Sequence, residues 1–211
     1  MCRKITFNML SGVFPHEVLK NQFNDYSRPN DKISYEISKG SLIKLRKGWY
    51  TKKESVEQEL YLKFNAANLI YGPSYVSLFS ALEYWQLIPE IVRITESATL
   101  KRKITIKTPI GTFKYRNIPE NVFSLGIKPV RIGDLSFLIA NPAKALCDII
   151  WTTSNIQIRS QKEARTFLIK DLRINEVEFY RFDLETLNRC VIDGKKKESL
   201  RQIIKIIKSV E

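Results

Sequence analysis

Apolar positions along the chain alternate between a helical period and a strand period, and the changes outline its elements. Phe14, Val18, Leu19 and Phe23 recur at helical spacing, and Pro15 suits a first helical position, so a short amphipathic helix is predicted over 14–23. After the polar loop 24–29, Asn30 is placed to cap a second helix running to Lys39. Ile33 and Ile37 share its buried face, and Gly40 closes it. Two β-prone arms follow, Leu42 to Arg46 and Trp49 to Thr51, around Lys47-Gly48, where glycine supplies the positive φ of a tight hairpin turn.

Helix, helix and small basic hairpin is the order that ends a winged helix-turn-helix, with a plain helical hairpin bearing a solvated face as the alternative. If Ile33 and Ile37 face inward, the 100° step per residue sends Lys32, Tyr35 and Lys39 to the exposed side, where they would face DNA. Arg46 and Lys47 fall at the tip of the wing, and Arg28 lies in the loop before the second helix. These six residues are the DNA-binding candidates.

Lys52-Lys53-Glu54 is a polar break, which sets a boundary between residues 1–53 and a larger unit, 54–211. Ser55-x-x-Gln58 has the capping-box pattern, opening a helix with Leu60, Phe64 and Ala67 on one face and ending at Gly72-Pro73. Ser77 starts another helix, with Leu78, Ala81, Leu82 and Trp85 inward. Strands are then expected at 103–108 and 112–118, forming a hairpin, with Val122 to Leu125 and Ser136 to Ile139 as further candidates for a small antiparallel sheet. Asn141-Pro142 reads as a cap and first helical position, Ser160-x-x-Glu163 as a second capping box, and Asp183 as the cap of a helix ending near Gly194. Leu200, Ile203, Ile204 and Ile207 line a last helix. The fold class is therefore α+β: a winged helix-turn-helix followed by a larger α+β domain with C-terminal helices.

Composition narrows the function. Apolar and charged fractions of 44% and 27% are those of a globular chain, and no apolar run approaches the ~20 residues of a membrane span, so a cytoplasmic protein without a membrane partner is expected. Cys2, Cys147 and Cys190 are too scattered for a disulfide framework or a zinc knuckle. Of the +13 formal charge, residues 1–53 hold +7, from eleven Lys and Arg against four Asp and Glu. An excess so concentrated raises affinity for a polyanion through counterion release.

Catalytic signatures are sparse. The single histidine, His16, reads as a surface residue, and no phosphate loop, dinucleotide fingerprint or zinc helix occurs. Asp193-Gly-Lys195 has the spacing of a metal-dependent nuclease element but reads more simply as a turn. The runs Lys101–Lys103 and Lys195–Lys197 likewise read as solvated turns. No catalytic residue, metal site or cofactor is assigned.

Three segments in register resemble the AbiEi family of antitoxins and transcriptional regulators of bacterial abortive-infection, type IV toxin-antitoxin operons. They are Lys39 to Tyr50, with its Leu-Ile, basic pair, Gly and Tyr; Gly72 to Pro89, with its Tyr-Val-Ser entry and Leu-Ile-Pro exit; and Ile139 to Asp148, with its Ala-Asn-Pro-Ala-Lys-Ala-Leu-Cys-Asp helix start. The resemblance spans about residues 14 to 150, and the chain departs from the family in its proline-bearing loop over 25–30. It implies an N-terminal domain that binds operator DNA and represses its own operon. It also implies a C-terminal domain that counters a nucleotidyltransferase-like toxin without a stable complex. Lys144 and Asp148 are expected to be mainly structural. A regulator with antitoxin activity, a transcriptional regulator alone, and a metal-dependent nuclease remain as alternatives, in that order.

Overall fold

The computed structural model describes residues 12–53 and 59–209, so the expected capping box at Ser55–Gln58 lies outside the described residues. The first unit runs β1 (Val13–Pro15), α1 (His16–Gln22), α2 (Pro29–Ser38), β2 (Leu42–Arg46) and β3 (Trp49–Lys52). Its three strands form an antiparallel sheet in the order β1-β3-β2. Phe14, Leu19, Phe23, Ile33, Leu42 and Tyr50 make a small core between the sheet and the two helices.

Two helix starts differ from expectation. Pro15 precedes α1, closing β1 opposite Trp49, because Phe14 is used in the sheet and pairs with Tyr50. Asn30 does not cap α2. Pro29 takes the first helical position, where its fixed φ and missing N–H cost nothing, and Arg28 stands at the cap. The Asn30 side chain is used elsewhere, 3.2 Å from His16 Nε2. The far end of α2 closes as expected: Gly40 adopts φ +74, its N–H reaches the Ile37 carbonyl, and the Ser41 N–H reaches the Glu36 carbonyl.

The second unit begins with α3 (Glu59–Ile70), β4 (Ser74–Val76), α4 (Leu78–Tyr84), β5 (Ile94–Thr99), β6 (Ile104–Thr108) and β7 (Gly111–Asn117). It continues with α5 (Glu120–Phe123), β8 (Ile127–Ile132), β9 (Leu135–Ala140), α6 (Pro142–Thr152), α7 (Gln161–Thr166), α8 (Leu184–Asp193) and α9 (Lys197–Lys208). The predicted hairpin is β6–β7, with Ile106 opposite Phe113. The sheet is larger than expected, with six strands in the order β6-β7-β5-β4-β9-β8. β5–β7 and β4–β9 pair parallel and the other three pairings are antiparallel. Val122 to Leu125 is not a strand: Pro119 and Glu120 open the short helix α5, which buries Val122. On α3, Leu60 stays exposed, whereas Leu62, Phe64, Ala66, Ala67 and Ile70 enter the core.

Consecutive side chains of a strand point to opposite faces, and β4 uses this to hold two layers. Ser74 Oγ donates to the Ala67 carbonyl of α3, while Tyr75 Oη donates to Asp148 of α6. The α6 side contains a fully buried ion pair, Lys144 Nζ to Asp148 Oδ1 at 2.5 Å, both side chains at 0% exposure. The other carboxylate oxygen of Asp148 accepts from Tyr75 Oη at 2.8 Å and Ser77 Oγ at 2.7 Å. Asn141 caps α6 by accepting from the Lys144 N–H, and Asp183 caps α8 by accepting from the N–H groups of Glu185 and Thr186.

A buried charge deprived of its partner is far more costly than a lost neutral hydrogen bond. Lys144→Met, which strands the Asp148 carboxylate, is therefore expected to lower unfolding free energy by about 3–5 kcal/mol. Tyr75→Phe, which leaves Asp148 two partners, should cost about 1–3 kcal/mol. Urea denaturation followed by circular dichroism measures both, and equal costs would contradict this ranking.

Candidate nucleic-acid interface

On α2 the exposed side is organised around one ring. Tyr35, 47% exposed, has Lys32 Nζ 4.8 Å and Lys39 Nζ 4.5 Å from its ring centroid. Lys32 also lies 5.3 Å from the ring of Tyr26, which meets Phe23 edge-on and so ties the loop to the small core. Cations over aromatic faces are held by the ring quadrupole, so the three predicted residues Lys32, Tyr35 and Lys39 form one surface.

Lys32 is not fully available. Its ammonium sits 2.5 Å from Glu36, one helical turn on, and Ser41 Oγ donates to the same carboxylate. The hydrogen bond to Glu36 outweighs desolvation and raises the Lys32 pKa. For Glu36, burial pushes the carboxyl up, but the bonds from Lys32 and Ser41 prevail and hold it below its ordinary value. Arg28 is the opposite case, with a side chain 83% exposed and only a 3.8 Å approach to Asp31.

The hairpin places its two predicted residues differently. Lys47 is exposed in the turn before Gly48, whose φ of +83 accommodates the reversal. A register shift between Lys44 and Arg46 brings Arg46 opposite Trp49, and its guanidinium turns away from the tip to donate to the Ile70 carbonyl at 3.1 Å. It also lies 5.8 Å from the Tyr71 ring. Lys44, exposed on β2, is a further basic residue of this surface, and the i,i+2 alternation with Arg46 is the signal for it. Glu36 is likewise legible as the i+4 partner of Lys32.

The residues singled out for catalysis have other partners. The His16 ring lies between Asn30 and the ring of Tyr50, at 5.8 Å from the latter, joining α1 to α2 and β3. Asp193 pairs with Arg189, and the Asp193 and Lys195 carbonyls accept from Asn121 and Trp151. Among the described residues, no three His, Cys, Asp or Glu are grouped to hold a metal ion, and no helix is long and apolar enough to cross a membrane. Compared with known proteins, the chain matches no family model and no curated protein.

The Lys32–Glu36 pair has a signed pH dependence. A carboxyl whose folded pKa is depressed adds stability that is present above the unfolded value and lost as pH falls through the folded one. A lysine whose pKa is raised adds stability that is lost only above the ordinary lysine range. Glu36→Gln should therefore be less stable than the parent near pH 7, and the gap should narrow as pH falls below the ordinary carboxylate range. Urea midpoints at neutral pH and across an acid series test this, and a gap that stays constant through the series would show that Glu36 acts through packing.

Proposed function

We propose that this chain is a cytoplasmic, non-enzymatic DNA-binding regulator whose first 53 residues form a winged helix-turn-helix, with α2 as the recognition helix and the β2–β3 turn as the wing. The observation that carries this reading is the surface that half-buried Lys32 and exposed Tyr35 and Lys39 form along α2 and its C-terminus, in the same small unit as a hairpin with Lys47 at its tip. The order β1, α1, α2, β2, β3 supports it, as does the +7 balance of residues 1–53. Tyr35 and Lys39 would enter the major groove, with Arg28 and Lys47 on the backbone.

The three-segment resemblance to AbiEi proteins extends the proposal to antitoxin activity. The regulator would repress its own operon and counter a nucleotidyltransferase-like toxin encoded beside it, without a stable complex. The second unit would carry that activity. Val13 and Leu45, however, belong to the large core, and Asn65 Oδ1 accepts from the Val13 N–H. Cutting the chain at residue 53 would uncover apolar surface, so point substitutions separate the two roles more cleanly.

Tyr35→Ala should relax discrimination between operator and random duplex, whereas Lys47→Ala should weaken both alike and reduce the salt slope of log affinity by roughly 0.9. Fluorescence anisotropy across a salt series measures this, and identical behaviour of the two variants would reject the assignment of helix and wing. In cells, the full chain carrying Lys39→Glu and Lys47→Glu should lose promoter repression yet still protect growth when the neighbouring toxin is induced. Loss of protection by a folded variant would remove the antitoxin assignment and leave the regulator.

A further inference from the structure

Tyr35 divides the outer face of α2 into two unlike strips. At about 100° per residue, Lys32 and Lys39 fall on one side of the ring, and Asp31, Ser34 and Ser38 fall on the other. All three residues of the second strip are exposed. The Asp31 side chain is 72% exposed and its approach to Arg28, at 3.8 Å, is beyond hydrogen-bond reach, so its carboxylate oxygens are open acceptors.

A hydroxyl can donate or accept, and in this strip the choice is made inside the helix. Ser34 Oγ donates to the Asn30 carbonyl at 3.0 Å, and Ser38 Oγ donates to the Tyr35 carbonyl at 2.8 Å. Each hydroxyl proton is committed to the backbone, so each oxygen offers only lone pairs to a group outside. The strip is therefore made of acceptors from end to end. Serine and aspartate are also weaker helix formers than alanine or lysine, and a back-bonded serine slightly destabilises its helix. None of the three belongs to the small core, so packing does not call for them.

Acceptors need donors, and the duplex supplies these in few places. Phosphates and deoxyribose within a duplex have no proton to give, and phosphates repel a carboxylate. The major-groove donors are the N4 amino group of cytosine and the N6 amino group of adenine. Carboxylates suit the former, and serine hydroxyls serve either. From Asp31 to Ser38 the helix rises about 10.5 Å, close to three base-pair steps of about 3.4 Å.

We propose that Asp31, Ser34 and Ser38 set the base preference of α2 by accepting from the exocyclic amino groups of cytosine and adenine, with Asp31 at a cytosine. This rests on the DNA-binding reading above and names the chemistry of its specificity. The cations of the same unit supply affinity, and the acceptor strip supplies discrimination.

The test begins with the full chain selecting its preferred site from a library of random duplexes. Single bases of that site are then replaced by analogues that lack only the amino group, purine for adenine and 2-pyrimidinone for cytosine. The same replacements outside the site correct for weakened pairing. Affinity measured by fluorescence anisotropy should fall roughly 3- to 10-fold at two or three neighbouring positions. Asp31→Ala should abolish the sensitivity at a cytosine position, and Ser34→Ala/Ser38→Ala should abolish it at the others, with thermal melts matching the parent. Lys47→Ala should bind more weakly yet keep the parental pattern. A parent that binds duplex but selects no site or ignores every amino deletion would overturn the acceptor strip, as would variants that keep the parental pattern. These outcomes leave the chain a DNA binder. Absence of duplex binding by the parent at low salt would instead reject the underlying reading.

Discussion

The buried Lys144–Asp148 pair is the constraint around which the larger unit is arranged. A fully enclosed ammonium and carboxylate are tolerable only when they are paired and further stabilised by the groups around them, because neither can return to water. Asp148 meets this by taking Lys144 on one oxygen and Tyr75 and Ser77 on the other. Lys144 is further enclosed by the rings of Trp151 at 4.7 Å and Tyr75 at 5.4 Å. Burial, with Asp148 beside it, pushes the Tyr75 hydroxyl well above its usual range, so it remains a donor at every physiological pH. Cys147 is shifted the same way by burial, which keeps its thiol protonated and unreactive.

This arrangement fixes more than α6. Tyr75 lies in β4 and Ser77 immediately precedes α4, so one carboxylate sets the register of a strand, the start of one helix and the face of another. β4 is only three residues long and meets β9 at Val76 and Ile139, so the earlier part of β9 has no strand partner on that edge. Asn65 and Asn68, on adjacent turns of α3, replace it: Asn65 Nδ2 donates to Ser136 O and Asn68 Oδ1 accepts from the Leu138 N–H. Asn65 also accepts from the Val13 N–H, and a side chain at Gly12 would meet Leu135 at 2.7 Å. The first unit is thus attached through the same helix that completes the sheet.

Elements were legible where a local signal agreed with the tertiary solution. Asn141-Pro142, Ser160-x-x-Glu163 and Asp183 mark helix starts in the sequence and cap helices in the structure, because a cap is a contact among near neighbours. Strands β4, β5 and β8 were not legible. Ser74-Tyr-Val76 is too short to show a period, Ile94 to Thr99 is mostly polar yet buried, and Pro129 interrupts β8. That proline is accommodated because β8 is an edge strand and needs no partner on its outer side. Of the surface residues, Lys32, Tyr35 and Lys39 followed from helical spacing alone. The inward turn of Arg46 depended on a bulge and on the end of α3, which no local pattern announces.

Arg46 shows why the surface has to be considered as one object. Its guanidinium satisfies the Ile70 carbonyl, one of the acceptors that a helix C-terminus leaves without an intrahelical donor, and it adds a cation at the negative end of the helix dipole. The same residue is the last of β2, so the orientation of the hairpin is set by the end of α3 rather than by the small core alone. Ile70 is followed by Tyr71, whose hydroxyl holds the β5–β6 turn. Two adjacent residues therefore position basic side chains of both units, the carbonyl of one holding the hairpin and the ring and hydroxyl of the other holding the turn. A displacement of α3 would move the two sets of cations together, so the packing that stabilises the larger unit also determines the shape of this basic surface.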